Sequence, residues 1–527
     1  MFAGLRQQPI STRCGFSHRA ALLHQIPYNR NVSQTDFALN FETRRRLGYE
    51  LINLINDYFE SLPTRPVQAP SENRSFEPLR DAMPETGILE QGAVSSGLNG
   101  NSPEKLTAFL RQTALEMIDR GFHVGSGNYF GLMNPTPTYA GVLAEALVAA
   151  LNPQLATMAR SQLATRIEVE TVRWIGERFG WQQPFDGTFT SGGNEANFSA
   201  LAMALATHFP TAIEDGVASI GAQPVVYASA ESHHSLDKSV GLLGLGRKAL
   251  RRIPLNDRYA MDVTALEQAI ASDRRGGRKP FCVVSTAGTT NSGMIDDIPA
   301  IADLCQRAGL WLHLDGSYGA AVTFSDTHRH LVRGIECCDS VTIDPHKWLA
   351  VPFVAGVVLT RHPQAMQAAF GVTTPYMPKA VSGIPLDNFK VSMQWTRRMN
   401  SLKLWLTLKM HGRLGYQTFI DQQMQQARDF ERWVETSEYF ELATPRVLPI
   451  LNLRLKHAGN GEQLMRAHID LVDRVTRDGR YWISETRVAG QSVIRIMIVS
   501  YLTGNSQIES LQQAMMAAMK MPLSARG

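Results

Sequence analysis

The chain has 527 residues, 44% of them hydrophobic, too long for one compact core and apolar enough to build two or three subdomains. Its 52 basic and 48 acidic residues leave a formal charge of +4, with no Lys/Arg-rich block interleaved with aromatics, so a nucleic-acid partner is not expected. The longest apolar run, Trp348 to Thr360, holds 13 residues, short of the roughly 20 that cross a bilayer. It reads as a buried strand pair or a strand plus a turn, and no membrane span is expected. Cys14, Cys282, Cys305, Cys337 and Cys338 form no CxxC pair and no disulfide framework, which suits a reducing cytoplasm.

Residues 1–35 contain Arg6, Arg13, Arg19 and Arg30 and no acid. That composition faintly resembles a mitochondrial presequence and equally suits a disordered leader, the reading preferred here. Apolar residues at helical spacing then run from Phe37 to Phe59 and stop at Pro63 and Pro66, an amphipathic arm of the kind that clasps a partner subunit. A Pro/Gly/Ser/Asn-rich passage from Pro63 to Pro103 reads as a linker, and a second helix is expected from Glu104 to Arg120. Residues 36–125 are thus taken as an N-terminal helical and linker segment.

From Thr138 to Phe179 the pattern is long and helical, and after Gly187 short β-rich runs alternate with helix-length segments such as Ile298 to Ala308. The runs begin at Pro224 (PVVYAS), Phe281 (FCVVSTA), Trp311 (WLHLD), Ser340 (SVTID) and Gly356 (GVVLT). Strands this apolar require a parallel sheet covered on both faces, so residues 126–400 are expected to form an α/β large domain. Beyond Asn400 a long helix, β-rich runs from Val447 and Ser492, and a closing helix predict a small α+β domain over 401–527.

Four motifs sit where strands of such a sheet end, the edge at which open α/β sheets bind ligands. In TSGGNEAN from Thr190, two glycines lead into a helix expected to begin near Asn194 and Glu195, a backbone cradle suited to phosphate, though alone it is as readily a plain turn. HLDGSYGAA from His313 places Asp315 at a strand end, where a carboxylate binds a metal, caps a helix or holds a protonated heterocycle nitrogen; capping is the ordinary role. SVTIDPHKWL from Ser340 places His346 and Lys347 after another strand, and the apolar company of Pro345, Trp348 and Leu349 would free the amine as a nucleophile for a carbonyl. A lone lysine, by contrast, usually snorkels. SAESHHSLDKS from Ser229 offers His233, with His234 competing, as a ring that stacks on a flat cofactor or serves as a structural hydrogen-bonder.

Together, SGGNEAN, SHHS, HLDGSYGAA and DPHKW resemble the corresponding motifs of the group II pyridoxal-5′-phosphate (PLP) decarboxylases, the family of aromatic-L-amino-acid, glutamate and diaminobutyrate decarboxylases. The resemblance runs from about Asn40 to Met519 and implies a fold-type I (aspartate-aminotransferase-like) homodimer. It implies Lys347 as the Schiff-base lysine, Asp315 as the partner of the pyridinium nitrogen, and His233 as the catalytic stacking residue. It also implies phosphate contacts at Gly193 and Asn194 with His346, Ser317 near the ring, and Thr290 rather than Thr289 close to the cofactor in STAGTTNSGMIDD from Ser285. YFGLMNPTPT at Tyr129 resembles the family's substrate-side strand and turn.

The expected reaction is decarboxylation of an L-amino acid to an amine. One departure bears on the product: aromatic decarboxylases carry a tyrosine in a mobile loop, whereas the matching stretch here, Met377 to Gln394, has none and places Phe389 or Asn388 there. Tyr376 lies just before it. Related enzymes with phenylalanine at that place convert amino acids to aldehydes, so an aldehyde is the alternative outcome. Phe130, Gly131 and Leu132 stand where glutamate decarboxylases resemble FNQ, which favours an aromatic or apolar substrate. A fold-type I aminotransferase or lyase, and an inactive PLP-binding partner protein, are the competing readings.

Overall fold

The computed structural model describes residues 39–70, 103–373 and 387–520. The expected leader, most of the expected linker, Tyr376 and the first part of the 377–394 stretch lie outside the described residues. Contacts divide the chain into two compact units. One holds helix α1 (Phe41–Ser61) as far as Asn56 and α2 (Pro103–Asp119) as far as Leu115. Within it Arg111 Nε donates to Glu50 Oε1 at 2.6 Å, and Arg46 pairs with Glu104.

The other unit begins at Asp57 and Glu116 and carries both sheets. Its elements run α3 (Tyr139–Leu151), α4 (Gln162–Arg178), β1 (Asp186–Thr190), α5 (Gly193–His208), α6 (Thr211–Asp215), β2 (Pro224–Ser229), α7 (Ser235–Leu242) and β3 (Leu250–Ile253). There follow α8 (Val263–Arg275), β4 (Lys279–Thr286), α9 (Ile298–Ala308), β5 (Trp311–Asp315), β6 (Ser340–Ile343), β7 (Gly356–Thr360) and α10 (Pro363–Phe370). The last are α11 (Ser401–Glu435), β8 (Phe440–Leu442), β9 (Ile450–Leu455), α12 (Gly461–Thr476), β10 (Ser484–Val488), β11 (Gln491–Met497) and α13 (Asn505–Lys520).

A seven-stranded sheet has the order β1-β7-β6-β5-β4-β2-β3, and a four-stranded antiparallel sheet the order β10-β11-β9-β8. The α/β class with a mostly parallel sheet and a smaller α+β region is therefore as expected. The apolar runs are strands because both faces are covered: β2, β5, β6 and β7 are buried along their whole length. Local signals set helix ends as well. Asp297 caps α9 by accepting from Ala300 N at 3.2 Å, and Gly309 ends it with φ +62°.

The structure corrects two sequence expectations. The helical stretch from Thr138 to Phe179 is two helices: Asn152 adopts φ +43° and Pro153 follows, so the chain leaves the helix there and re-enters it at Gln162. GVVLT, one of the runs assigned to a parallel sheet, is antiparallel to both of its neighbours. The run Trp348 to Thr360 is a strand plus a turn, as one of its two readings had it: the turn comes first and Gly356–Thr360 is the strand. Among the described residues no helix is long and apolar enough to cross a membrane.

Candidate active site

Because β7 runs antiparallel to both β1 and β6, β1 is parallel to β6, and its carboxyl end opens on the same edge as those of β2, β4, β5 and β6. All of the sequence motifs leave from that edge.

At the end of β1, Gly192 takes φ +148°, a conformation that favours glycine, and α5 starts at Gly193, one residue earlier than expected. First-turn amides of a helix have no intrahelical acceptor, so those of Gly193 and the exposed Asn194 are open to an anion. Glu195 closes the turn by accepting from Ser191 N at 2.9 Å and Ser191 Oγ at 2.6 Å. Gln394 Nε2 donates to both Glu195 oxygens, at 2.8 and 2.7 Å.

Gly193 is pressed against two neighbouring loops. A Cβ added there would lie 2.6 Å from Ser317 Oγ and 2.7 Å from Asp344 Oδ2. Ser317 in turn donates through Oγ to Asp315 Oδ1 at 2.7 Å, and Asn197 Nδ2 donates to Asp315 Oδ2 at 2.8 Å. Asp315 therefore caps no helix, and no metal-binding cluster occurs among the described residues. Burial pushes its carboxyl up, but the Lys347 charge, the Ser317 hydroxyl and the nearby His233 and His313 outweigh burial and hold it below the usual range.

Lys347 stands on the turn after β6. The apolar company expected for it points elsewhere: Trp348 is fully buried and stacks on Tyr318 at 4.9 Å, and Leu349 lies in the core. What the lysine meets is a carboxylate, with Nζ 3.1 Å from Asp344 Oδ2. Asp344 is itself buried, and its Oδ1 has no hydrogen-bond partner. His346 Nε2 lies 3.9 Å from Asp344 Oδ2, and its Nδ1 is 2.6 Å from Ala355 O. Burial lowers the His346 pKa.

His233 and His234 are both exposed and are told apart by their partners. His234 pairs with Asp237 at 3.3 Å. His233 Nδ1 accepts from Ser235 N at 3.1 Å, so its ring carries its proton on Nε2; desolvation lowers its pKa, while Asp315 and Lys347 are close enough to pull it in opposite directions. In the loop after β4, Thr289 Oγ1 is spent within the turn, bonded to Ser292 Oγ at 2.7 Å and accepting from Met294 N. Thr290 offers its carbonyl to Arg495 Nη1 at 3.1 Å. No hydrogen bond among the described residues joins Thr290 to the cluster around Asp315.

Phe389 and Asn388 do not stand out from their loop. Both are buried in one turn, where Phe389 N donates to Ala156 O at 3.2 Å and its ring packs on Trp395 at 4.9 Å. On the substrate side Phe130 is fully buried, Gly131 is wedged where a Cβ would lie 2.0 Å from Trp482, and Leu132 is exposed. Sequence reasoning passed over Asp344, Asn197, Gln394 and Arg495. Asp344 and Asn197 lie within the motifs DPHKW and SGGNEAN but were given no role there; Gln394 and Arg495 come from a loop end and the second sheet, and only the fold brings them to this edge.

A molecule that suits this edge must bring an anion for open amides, an electrophilic carbon for an amine, and a cationic ring nitrogen for a buried carboxylate. PLP carries all three, and the orphaned Asp344 oxygen and the open cradle leave polar groups for it to engage, so the residues fit the cofactor. This sheet, with that edge, is the fold-type I scaffold of PLP enzymes. The chain belongs to the pyridoxal-dependent decarboxylase family, whose conserved-domain model matches residues 100–456. It is 31% identical to an aromatic-L-amino-acid decarboxylase of Bacillus atrophaeus over 89% of this chain and 94% of that protein. It is 28% identical to the Bos taurus enzyme of the same name over 83% and 89%. The fold matches Oryza sativa TDC, solved with PLP and tryptamine, at a TM-score of 0.80 and 24% identity, covering 92% of this chain and 99% of that one. The protein is a PLP-dependent carboxy-lyase of amino-acid metabolism.

Proposed function

We propose that the protein converts an L-amino acid with an aromatic side chain to its amine and carbon dioxide, with Lys347 carrying the cofactor. The observation that carries this reading is the placement of a buried Asp315 and of Lys347, which pairs with Asp344, on adjoining strand ends, both packed against the Gly193 cradle through Ser317 and Asp344. When bound, PLP supplies an electron sink for the pair released as the Cα–carboxylate bond breaks.

The chain's residues would then act as follows. Gly193 and Asn194 amides, with His346, hold the phosphate, and Asp315 keeps negative charge facing the ring nitrogen. Lys347 would hold the cofactor and, when free, would rest against Asp344, as it does here. Ser317 orients the Asp315 carboxylate, and Thr290 borders the cofactor from the β4 loop. His233 stacks on the ring with a proton on Nε2 only. The aromatic preference is supported by the names of the relatives and by the replacement of a polar substrate handle with Leu132. The burial of Phe389 against Trp395 supports the amine as product, since a side chain sealed in a turn is poorly placed to decide the fate of Cα.

A homodimer is part of the proposal. Leu143, Leu147 and Leu151 form an exposed stripe on α3, and Met410 and Leu414 are exposed on α11, apolar surface that a partner subunit would cover. Free thiols at Cys282, Cys305, Cys337 and Cys338 support a reducing, cytoplasmic setting; Cys14 lies outside the described residues.

The test is a panel of L-amino acids with carbon dioxide, amine, aldehyde and peroxide read in parallel, on wild type and Lys347→Ala. Carbon dioxide with amine, and a visible cofactor band lost in Lys347→Ala, support the reading. Aldehyde with peroxide would move the product assignment, and a band that survives Lys347→Ala would remove Lys347.

A further inference from the structure

Behind Asp315 runs a chain of buried polar side chains to which neither the reading of the motifs nor the proposed reaction gives a role. Asn197, on the second turn of α5, donates both amide hydrogens: to Asp315 Oδ2 at 2.8 Å and to Ser235 Oγ at 3.1 Å. That fixes the amide's orientation and leaves Asn197 Oδ1 facing His313 Nε2 at 3.1 Å. An oxygen there demands a proton on Nε2, so in the neutral ring His313 Nδ1 accepts from the Ser340 hydroxyl, 2.9 Å away, and the Ser340 carbonyl, 3.2 Å from the same nitrogen, receives no proton from it. The Ser340 hydroxyl oxygen in turn accepts from Trp311 Nε1 at 2.8 Å. Asn197, Asp315, His313 and Ser340 are all buried.

Each link thus points the same way, from Trp311 through Ser340, His313 and Asn197 to Asp315. His313 is suited to a link that stays neutral, since burial, only partly offset by Asp315 and the Ser340 backbone, holds its pKa down to about 4. A buried chain whose donors all face one carboxylate favours the charged form of that carboxylate and fixes where it points.

We infer that Asn197 is a positioning residue for the reaction: by donating to Asp315 Oδ2 from a neutral, one-directional chain, it keeps Asp315 an ionised acceptor aimed at the cofactor ring. The inference rests on the proposed role of Asp315. The other titratable groups facing Asp315 are Lys347 on the β6 turn, His233 after β2 and His313 on β5 itself. None of them replaces the Asn197 amide at Oδ2. Ser317, which holds Oδ1, cannot substitute for it either.

The test uses holoenzyme loaded with PLP labelled with nitrogen-15 in the ring, and follows the ring nitrogen's chemical shift against pH in wild type, Asn197→Leu, Asn197→Thr and Asp315→Asn. Asn197→Leu keeps the volume and removes the donor, while Asn197→Thr restores a single donor and answers the same question should the leucine variant fail to fold. The expected result is a ring nitrogen that loses its proton about one pH unit lower in Asn197→Leu, the worth of one buried hydrogen bond to a charged group, with a smaller fall in Asn197→Thr. A midpoint unchanged in these variants but lowered in Asp315→Asn overturns the inference and leaves the site reading standing. A midpoint unchanged in Asp315→Asn as well overturns both.

Discussion

Lys347 Nζ lies 3.1 Å from Asp344 Oδ2, three residues earlier on the same turn, and the other oxygen of that carboxylate is buried without a partner. A carboxylate so placed can hold the free lysine in one position before the cofactor arrives and after the substrate displaces it. Asp344→Asn keeps the shape and an acceptor oxygen but removes the charge. A hydrogen bond to a charged group is worth about 1.5–3 kcal/mol, and an ammonium held by a carboxylate has no lone pair to offer a carbonyl, so stopped-flow records of the visible band on mixing apoprotein with PLP should show capture quickened, by roughly tenfold or more. Capture at the wild-type rate would mean that Asp344 plays no part in restraining the amine.

The contact of Gly193 with two other loops makes a steric prediction. In Gly193→Ala the new methyl would fall 2.6 Å from Ser317 Oγ and 2.7 Å from Asp344 Oδ2, and both side chains already have partners that resist movement. Overpacking of this kind costs about 1–3 kcal/mol. We expect the melting temperature of the apoprotein to fall and the dissociation constant for PLP, measured by equilibrium dialysis, to rise at least about fivefold. A lower melting temperature with unchanged affinity would place Gly193 in the fold and not in the cradle.

A second buried charge pair secures the strand that feeds the cradle. Arg397 Nη2 donates to Glu168 Oε1 at 2.7 Å and Arg397 Nη1 to Glu168 Oε2 at 2.8 Å, while Phe189 on β1 gives its amide to Glu168 and its carbonyl to Arg397. Both side chains are almost wholly buried, so removing one partner strands the other's charge. Glu168→Gln should lower stability by about 3–5 kcal/mol in urea titrations, and the double variant Glu168→Leu with Arg397→Met should lose less than Glu168→Gln alone. If the double variant is the weaker of the two, the pair is stabilising in its own right.

How far the sequence told this in advance depended on whether the signal was local. The apolar strands β2, β4, β5, β6 and β7 were legible because burial on both faces demands continuous apolar runs. The strands β1 and β3, DGTFT and LRRI, were not, since each is short and half polar and is a strand only because of its neighbour in the sheet. Gly193, Asp315, His233 and Lys347 could be named because each lies in a short motif at a strand end. The partner of Lys347 was misjudged: neighbours in sequence suggested an apolar pocket, yet the turn sends both Trp348 and Leu349 into the core and leaves Lys347 against Asp344. Asn197 closes the SGGNEAN motif, but only the fold shows that its side chain turns to Asp315, and Arg495 reaches the site from the second sheet, where no local pattern marks it.

The pH dependence of stability should carry the mark of Asp186 at the start of β1. Burial pushes its carboxyl up to about 6, the Gly187 amide offsets part of this, and the Glu168 charge adds to it. A folded-state value above the unfolded one means that the native protein holds a proton the unfolded chain has released. The resulting stability is present in full below about pH 4 and is lost as pH rises through about 6. Asp186→Asn keeps an acceptor for the Gly187 amide, which the native carboxylate meets at 2.7 Å, and carries no charge at any pH. We therefore expect the variant to match wild type near pH 4.5 and to exceed it by on the order of 2 kcal/mol at pH 8, read from urea midpoints. The dependence should be reduced but not abolished, because Asp296, fully buried, is also raised to about 6 and acts in the same direction. Equal midpoints for variant and wild type at pH 8 would show that Asp186 is solvated in the native protein and contributes nothing to its pH profile.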